Sequence, residues 1–258
     1  MDWKKESEMF NQMAEYYDIY RPSYPQEIIN AIVNRASLVS GSKLLEIGAG
    51  SGKATAQFAD YNLEILCVEP GPELAARGRE RFIGKNIEFI VSRFEDYSPS
   101  FIDNDAIISA QAFHWLPQPE GYEKCAAVLK DGGYLAPFWN IGIIQDTALD
   151  KELFELMETH NAFTSDTTEV KYYERMKQIS EGIAGSGFFY EPEVIHSRWN
   201  INYTADEYYG YVSTGNVFVQ NPDDVKQAFH NTLTKLAGKY DGIIKRHYIC
   251  ELYLAKKR

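Results

Sequence analysis

A strand that leads into a glycine-rich loop is the feature of this sequence that most constrains its fold. Residues 43–55 read KLLEIGAGSGKAT, in which an apolar run ends at Ile47 and glycines follow at Gly48, Gly50 and Gly52. A helical pattern of small residues comes next. Such a unit exposes bare backbone at the carboxyl end of a buried strand, where a ligand can approach closely. The segment therefore predicts an α/β sheet with a ligand site at its edge.

The spacing of these glycines argues against two phosphate-binding loops. The nicotinamide and flavin fingerprint G-x-G-x-x-G places its third glycine three positions after the second, and Lys53 occupies that position here. A P-loop ends in Gly-Lys-Ser/Thr, but Ala54 follows Lys53. Two interpretations remain: a ligand without a pyrophosphate group, or a glycine turn that binds nothing.

The composition is that of an ordinary globular chain. Of its 258 residues, 45% are hydrophobic and 24% are charged. No run reaches the ~18 apolar residues of a membrane helix, and the N-terminal residues lack the apolar core of a signal peptide. Cys67, Cys125 and Cys250 are scattered and form neither a disulfide framework nor a paired metal motif. We expect a cytoplasmic protein without a membrane association and without a metal, and the oligomeric state stays open.

The charge of the chain disfavours nucleic acid as a partner. The net charge is −11, whereas affinity for a phosphate backbone depends mainly on Lys and Arg contacts. The basic residues between positions 77 and 85 alternate with acidic and apolar residues, as on a solvated helix face. A small-molecule substrate is therefore the expected partner.

Strand and helix patterns alternate along the first part of the chain. This alternation predicts a Rossmann-like parallel sheet with right-handed crossovers, and thus an α/β fold. Two later strands are predicted at 193–203 and 248–255, of which the last closes the sheet as an antiparallel terminal strand. The earlier strands are predicted at 43–47, 64–68, 87–91, 105–109 and 134–138.

Polar and aromatic side chains follow two of these strands. Glu69 ends the second strand, where a carboxylate can accept hydrogen bonds from the vicinal hydroxyls of a ribose; a surface carboxylate before a turn is the alternative. Residues 111–115, QAFHW, follow the fourth strand. Because ligands bind outside the carboxyl ends of such strands, His114 and Trp115 are candidates for the floor of the site, with packing as the alternative for each.

Most of the chain resembles one family. The segments LLEIGAGSGKAT, VEPGPELAARGRERF, SRFEDY, AQAFHWL and LKDGGYLAPFWN occur in the order and at the spacing found in class I S-adenosylmethionine-dependent methyltransferases. They are similar to the broad bacterial small-molecule methyltransferases that include trans-aconitate methyltransferase-like and menaquinone-pathway-like members. The N-terminal FNQMAEYYDIYRPSYP resembles the entry segment of that family. From HSRWNINYTADEYYGYV onward the resemblance is only generic.

The resemblance implies that S-adenosylmethionine (SAM) is the cofactor. Tyr17 and Arg21 match positions that close over its methionine end, and Phe94 with Glu95 matches the loop that holds adenine. The sequence departs from the family at Arg93, where an acid is common. The predicted cofactor-binding residues are Tyr17, Arg21, Glu46, Gly48, Ala49, Gly50, Gly52, Glu69, Pro70, Phe94, Glu95 and Gln111.

We interpret the chain as a single methyltransferase domain, residues 1–258, with a helical cap inserted after the fifth strand. Its expected parts are an N-terminal lid and helix at 1–40, a SAM-binding core at 41–140, a cap with the sixth strand at 141–225, and a final helix and strand at 226–258. The cap helices are predicted at about 142–187 and 205–221.

The residues after the fourth strand exclude several methyltransfer chemistries. Enzymes that methylate amino groups of DNA bases or glutamine carry Asn/Asp-Pro-Pro-aromatic there, whereas this chain has Ala-Gln-Ala-Phe at 110–113. Cytosine C5 enzymes need a Pro-Cys nucleophile, and no cysteine here follows a proline. The catechol type needs clustered acids at the strand end, but Asp103 and Asp105 lie at its start. We therefore expect metal-independent transfer.

The acceptor itself is left open among O-, N- and C-methylation. His114 is the best-placed candidate base, although a carboxylate acceptor would need none. His114, Trp115 and Trp139 are the predicted substrate-binding residues, and an aromatic cap would favour an apolar or planar acceptor. A SAM-binding sensor or an inactive subunit is the alternative function. A nicotinamide oxidoreductase is disfavoured by the missing third glycine.

Overall fold

The computed structural model describes residues 14–98, 102–162, 166–215 and 217–258. Its strands are β1 (Lys43–Ile47), β2 (Glu64–Glu69), β3 (Ile87–Val91), β4 (Asn104–Ala110), β5 (Leu129–Ile143), β6 (Glu193–Tyr203) and β7 (Ile244–Lys256). Its helices are α1 (Ala14–Tyr20), α2 (Gln26–Arg35), α3 (Thr55–Phe58), α4 (Pro72–Arg81), α5 (Glu120–Val128), α6 (Ala148–Thr159), α7 (Glu169–Gly185), α8 (Ala205–Ser213) and α9 (Asp223–Gly238), with 3₁₀ turns at Phe113–Trp115 and Phe218–Gln220.

The strands form one sheet in the order β3–β2–β1–β4–β5–β7–β6. Strands β1 to β5 pair in parallel, and β7 lies antiparallel between β5 and β6. This topology confirms the predicted Rossmann-like sheet with an antiparallel terminal strand. Because the parallel strands end at the same edge, the loops after β1, β2, β4 and β5 meet there.

Helices cover both faces of the sheet, since its central strands are apolar on both sides. On one face α2 buries Ile28, Ile29 and Ile32 against the strands. On the other face lie α5 and α7, and Tyr172 and Ile183 of α7 are buried in that core. Helix α7 therefore packs on the sheet, whereas the sequence pattern assigns it to the cap.

Strands β5 and β7 are longer than the sequence pattern predicts. They pair with each other from Tyr134↔Lys256 to Ile143↔His247. This antiparallel ladder extends β7 beyond the predicted 248–255 and carries β5 past the predicted 134–138 to Ile143. The extension matters for the site, because it fixes Asn140 within a strand.

Helix α3 begins only at Thr55, three residues after the last glycine of the loop. Gly52 has a φ of +80°, and its amide donates to the Ala49 carbonyl oxygen at 2.9 Å in a turn. A left-handed residue cannot belong to a right-handed helix. The glycine loop therefore takes up the residues that would form the first helical turn.

A third apolar core, separate from those on the two faces of the sheet, holds the helical cap together. It joins α6, α8 and α9 to the ends of β6 and β7 around Tyr208, Phe218 and Phe229. Helix α8 begins with a capping box, in which the Thr204 side chain accepts from the Glu207 amide and the Glu207 side chain accepts from the Thr204 amide. These contacts place α8 beside the carboxyl edge of the sheet.

A buried charge cluster fastens the cap to the sheet. Arg246 of β7 is 2% exposed and pairs with Asp150 of α6 and with Asp166, whose carboxylate lies 2.5 Å from the guanidinium. Asp150 is itself buried and accepts a hydrogen bond from the Thr147 hydroxyl at 2.8 Å. The cluster thus joins three separate parts of the chain.

The described residues contain neither a candidate membrane-spanning helix nor a candidate metal site. Within 14–98, 102–162, 166–215 and 217–258, no helix combines the length and the apolar character that a membrane span requires. The same residues hold no group of three or more His, Cys, Asp or Glu side chains that could bind a metal ion.

Candidate functional site

A cavity lies at the carboxyl edge of the sheet, beneath α1 and α8. Its walls come from the loops after β1, β2, β3 and β4, from β5 and β7, and from the N-terminal segment. It brings together nearly all of the predicted cofactor-binding residues; those that line it are Tyr17, Arg21, Glu46, Gly48, Ala49, Gly50, Glu69, Pro70, Phe94, Glu95 and Gln111. The predicted substrate residue Trp115 also lines it. Gly52, His114 and Trp139 are not among the described lining residues.

The three glycines of the loop serve different purposes. A Cβ at Gly48 would lie 2.4 Å from Ala112 Cβ, and one at Gly52 would lie 2.5 Å from the Phe82 ring. Both positions are therefore set by packing behind the cavity, and Gly52 spaces the loop from α4. Gly50, with a φ of +59°, would carry a Cβ into open space. Gly50 is thus the glycine that leaves room for a ligand.

Glu69 supports the glycine loop from beneath. It is 6% exposed, and one carboxylate oxygen accepts the Gly50 amide at 2.8 Å while the other accepts the Gly71 amide at 2.7 Å. Burial raises the pKa of Glu69, and the two amides counteract this by stabilising the charge. Each oxygen keeps further acceptor capacity, so the carboxylate can also receive two hydroxyl donors from the cavity.

Glu46 is a second buried acid in the same wall. It is 1% exposed and accepts a hydrogen bond from the Thr55 hydroxyl. Burial, reinforced by the nearby charge of Glu69, raises the pKa of Glu46 to about 8. In the described part of the chain no Lys, Arg or His forms an ion pair with it. A bound cation would therefore complete this wall.

The N-terminal segment bridges the glycine loop and the cap. Asp18 of α1 accepts from the Ser51 hydroxyl at 2.7 Å and pairs with Arg81 at 2.5 Å. The Lys53 ammonium donates to the Asp18 carbonyl oxygen at 2.6 Å. On the opposite side, the Tyr20 ring packs directly on the Gly210 backbone of α8, where a Cβ would lie 2.5 Å from the ring. The segment therefore closes one side of the cavity.

Arg21 extends from this segment into the cavity. Its Nε donates to the Thr214 hydroxyl at 2.7 Å. The guanidinium carbon lies 5.4 Å from the Tyr17 ring centroid and 5.0 Å from that of Tyr211. These contacts hold a permanent positive charge at the cavity wall.

The loop after β3, where the adenine site is predicted, contains an ion pair. Phe94 is 3% exposed and lines the cavity, as expected for a ring that packs on a planar ligand. The Glu95 carboxylate, however, pairs with the Arg93 guanidinium, which also lies 3.9 Å from Asp96. The departure from the family at Arg93 thus has a structural consequence, because the acid predicted to contact adenine is paired within its own loop.

His114 is held by an aromatic neighbour outside the cavity. Its Nδ1 accepts the Trp139 indole N–H at 3.2 Å. Although part of the imidazole is exposed, packing against Trp115 and Trp139 desolvates it, and the Arg175 guanidinium adds repulsion; together they lower the pKa of His114 to about 4. A group with so low a pKa is neutral at pH 7 and is a weak proton acceptor.

Tyr24, Asn140 and Tyr248 line the cavity although the sequence did not identify them as site residues. Tyr211, which the sequence assigns to the aromatic cap, lines it as well. The alternation of side chains along β5 could have identified Asn140. Trp139 is buried in the core on one face of the sheet, so the next residue, Asn140, must point to the opposite face. Tyr248 is far away in sequence from the other cavity residues, and no sequence pattern identified it.

Part of the chain is similar to known methyltransferases. A family model described as a methyltransferase domain matches residues 45–136. An uncharacterized methyltransferase of Mycobacterium bovis is 30% identical over 131 residues, which make up 51% of each chain. The chain therefore spans about half the length of the curated relatives that it matches.

Solved structures share the fold at low sequence identity. Phosphoethanolamine N-methyltransferase 2 of Haemonchus contortus, in complex with phosphomonomethylethanolamine and S-adenosylhomocysteine (SAH), aligns with a TM-score of 0.56 at 15% identity, covering 96% of this chain and 57% of that one. The [4+2]-cyclase SpnF aligns with a TM-score of 0.58 at 14% identity, covering 98% of this chain and 94% of that one. Residues 45–136 thus match a methyltransferase domain, and the sheet that they help to form has the Rossmann-like topology.

Proposed function

We propose that the protein transfers the methyl group of SAM to a small-molecule acceptor. The observation that carries this proposal is the meeting of two buried carboxyl groups, Glu46 and Glu69, with the open backbone at Gly50 in one cavity. Neither acid has a protein cation beside it among the described ion pairs. These acceptor groups fit a ligand that carries positive charge and a ribose diol.

Each part of the cavity wall suits one part of SAM. We assign the ribose hydroxyls to Glu69, the positive charge of the amino-acid portion to Glu46, its carboxylate to Arg21, and the adenine ring to Phe94. When bound, SAM supplies a methyl group that is already activated by the sulfonium. The protein then has mainly to align donor and acceptor, which can lower a barrier by about 7–11 kcal/mol.

The acceptor end of the cavity is aromatic. Tyr24, Tyr211 and Tyr248 line it, and the Tyr248 hydroxyl lies 3.1 Å from that of Tyr203. Burial raises the pKa of each lining tyrosine, so their hydroxyls act as hydrogen-bond donors and not as bases. Such walls exclude water and orient a flat acceptor.

Two measurements test the proposal and separate it from a SAM-binding sensor. Calorimetry should show binding of SAM and SAH and no binding of NAD. An acceptor screen with methyl-labelled SAM should then give SAH together with a labelled product. Binding without turnover across a broad panel of small molecules would favour the sensor, and binding of NAD would contradict the cofactor assignment.

We predict that SAM binding releases a proton from Glu46. Without the cofactor the pKa of Glu46 is about 8, so the carboxyl is mostly protonated at pH 7, and a cation favours its ionised form. Affinity for SAM should therefore rise with pH and level off above about pH 8. Calorimetry at pH 7 in phosphate and in Tris should show about one proton more released by the wild type than by Glu46→Gln. Equal proton release by the two proteins would contradict the prediction.

We also predict that the cofactor protects the N-terminal segment. We expect the segment from Tyr17 to Pro25 to open when the cofactor enters, and to stay closed while it is bound. SAH at ~100 times its Kd should therefore slow chymotrypsin cleavage after Tyr17 and Tyr20 by up to ~100-fold. Asp18→Ala should speed cleavage and weaken SAH binding, because it removes the contacts to Ser51 and Arg81. Asp60→Ala, which removes an exposed surface pair, is the control. Cleavage that is unaffected by SAH would show that this segment is not a lid.

A further inference from the structure

One buried oxygen in the cavity wall lacks a partner. Asn140 of β5 is 7% exposed and lines the cavity. Its Oδ1 is buried and, among the described residues, receives no hydrogen bond. The rest of the residue is satisfied, since Nδ2 donates to the Ser23 carbonyl oxygen at 2.8 Å and the Asn140 carbonyl oxygen accepts from Gln111 Nε2 at 2.9 Å. Buried polar atoms are almost always paired, so this oxygen points to a missing donor.

The orientation of the Asn140 amide is fixed by its neighbour. The Ser23 carbonyl oxygen can only accept a hydrogen bond, so the amide nitrogen must face it. Rotating the amide by 180° would set two oxygens against each other. The unpaired atom is therefore Oδ1, which is an acceptor, and its missing partner must be an N–H or O–H group.

Asn140 lies away from the residues assigned to the hydrogen-bond donors of the cofactor. Glu46 and Glu69, assigned to the positive charge and to the ribose hydroxyls, come from the ends of β1 and β2, whereas β5 is separated from β1 by β4 in the sheet order. Arg21 lies closer to Asn140 along the N-terminal segment, but it is assigned to a carboxylate, which cannot donate a hydrogen bond. In the cavity Asn140 is accompanied by Gln111 from the end of β4, Tyr248 of β7 and Tyr211 of α8. A donor that reaches Asn140 thus belongs to the molecule at the acceptor end.

The same surroundings define the shape of that molecule. Tyr211 and Tyr248 are 4% and 3% exposed and present rings with neutral hydroxyls. A cavity wall made of such rings suits a flat, largely apolar molecule. Resting on the proposed function, we propose that Asn140 Oδ1 selects a flat aromatic acceptor by accepting a hydrogen bond from its N–H or O–H group.

Matched pairs of aromatic probes test this inference. Indole and 1-methylindole differ in one N–H donor, and 2-naphthol and 2-methoxynaphthalene differ in one O–H donor. Their Kd values would be measured by ligand-observed NMR on the full chain saturated with SAH. In at least one pair, the member with the donor should bind the wild type about tenfold more tightly, as for one net hydrogen bond. No preference in either pair would overturn the inference.

Two variants separate selection by Asn140 from its role in holding Ser23. Asn140→Leu removes both the oxygen and the donor to Ser23, and the preference should fall to about one. Asn140→Asp keeps an acceptor oxygen but cannot donate to the Ser23 carbonyl, and the preference should persist. A preference that survives in Asn140→Leu, or disappears in both variants, would overturn the inference. Failure of the wild type to bind SAH would instead count against the proposed function.

Discussion

Replacing Arg246 with methionine should lower the free energy of unfolding by about 3–5 kcal/mol at pH 7. The change leaves the carboxylates of Asp150 and Asp166 buried without the guanidinium that pairs with both. Breaking a buried pair is costly because the remaining charge is poorly solvated. Urea denaturation, monitored by tryptophan fluorescence, would measure the change.

Two further variants make the Arg246 prediction specific. Arg198→Met removes an arginine of the neighbouring strand β6 whose pair with Glu169 is half exposed, and it should cost less than about 1 kcal/mol. The triple variant Arg246→Met, Asp150→Asn, Asp166→Asn removes all three charges and should be more stable than Arg246→Met alone. If Arg246→Met cost no more than Arg198→Met, the buried cluster would not hold the cap to the sheet.

The parts of the site that the sequence predicts are those made by local patterns. The glycine loop and Glu69 each lie at the carboxyl end of a predicted strand. Predicting the two strands therefore also predicted the positions of the loop and of Glu69. Gly48 and Gly52 illustrate the limit of this reasoning. The sequence identifies them as ligand-contacting glycines, but tertiary contacts to Ala112 and Phe82 give them a packing role.

The acceptor end could not be predicted in the same way, because it is assembled from distant segments. Asn140, Tyr211 and Tyr248 meet only after β7 inserts beside β5 and α8 folds over the edge. His114 shows the opposite case: it follows a strand as a catalytic base would, yet it is not among the described lining residues and its Nδ1 accepts the Trp139 indole N–H. Whether a strand-end residue faces the cavity depends on the local turn, which side-chain chemistry alone does not reveal.

Replacing Glu69 with alanine should weaken SAM binding by about 1.5–3 kcal/mol, or about 10- to 150-fold. The change removes the proposed acceptor of the ribose hydroxyls and frees the Gly50 and Gly71 amides that the carboxylate now holds. Glu69→Gln keeps one acceptor oxygen and should lose less affinity. Glu64→Ala, at the other end of the same strand and outside the described cavity lining, is the control and should bind SAM like the wild type. Calorimetry with SAM would measure all three variants, and wild-type affinity in Glu69→Ala would show that the ribose is not held at the end of β2.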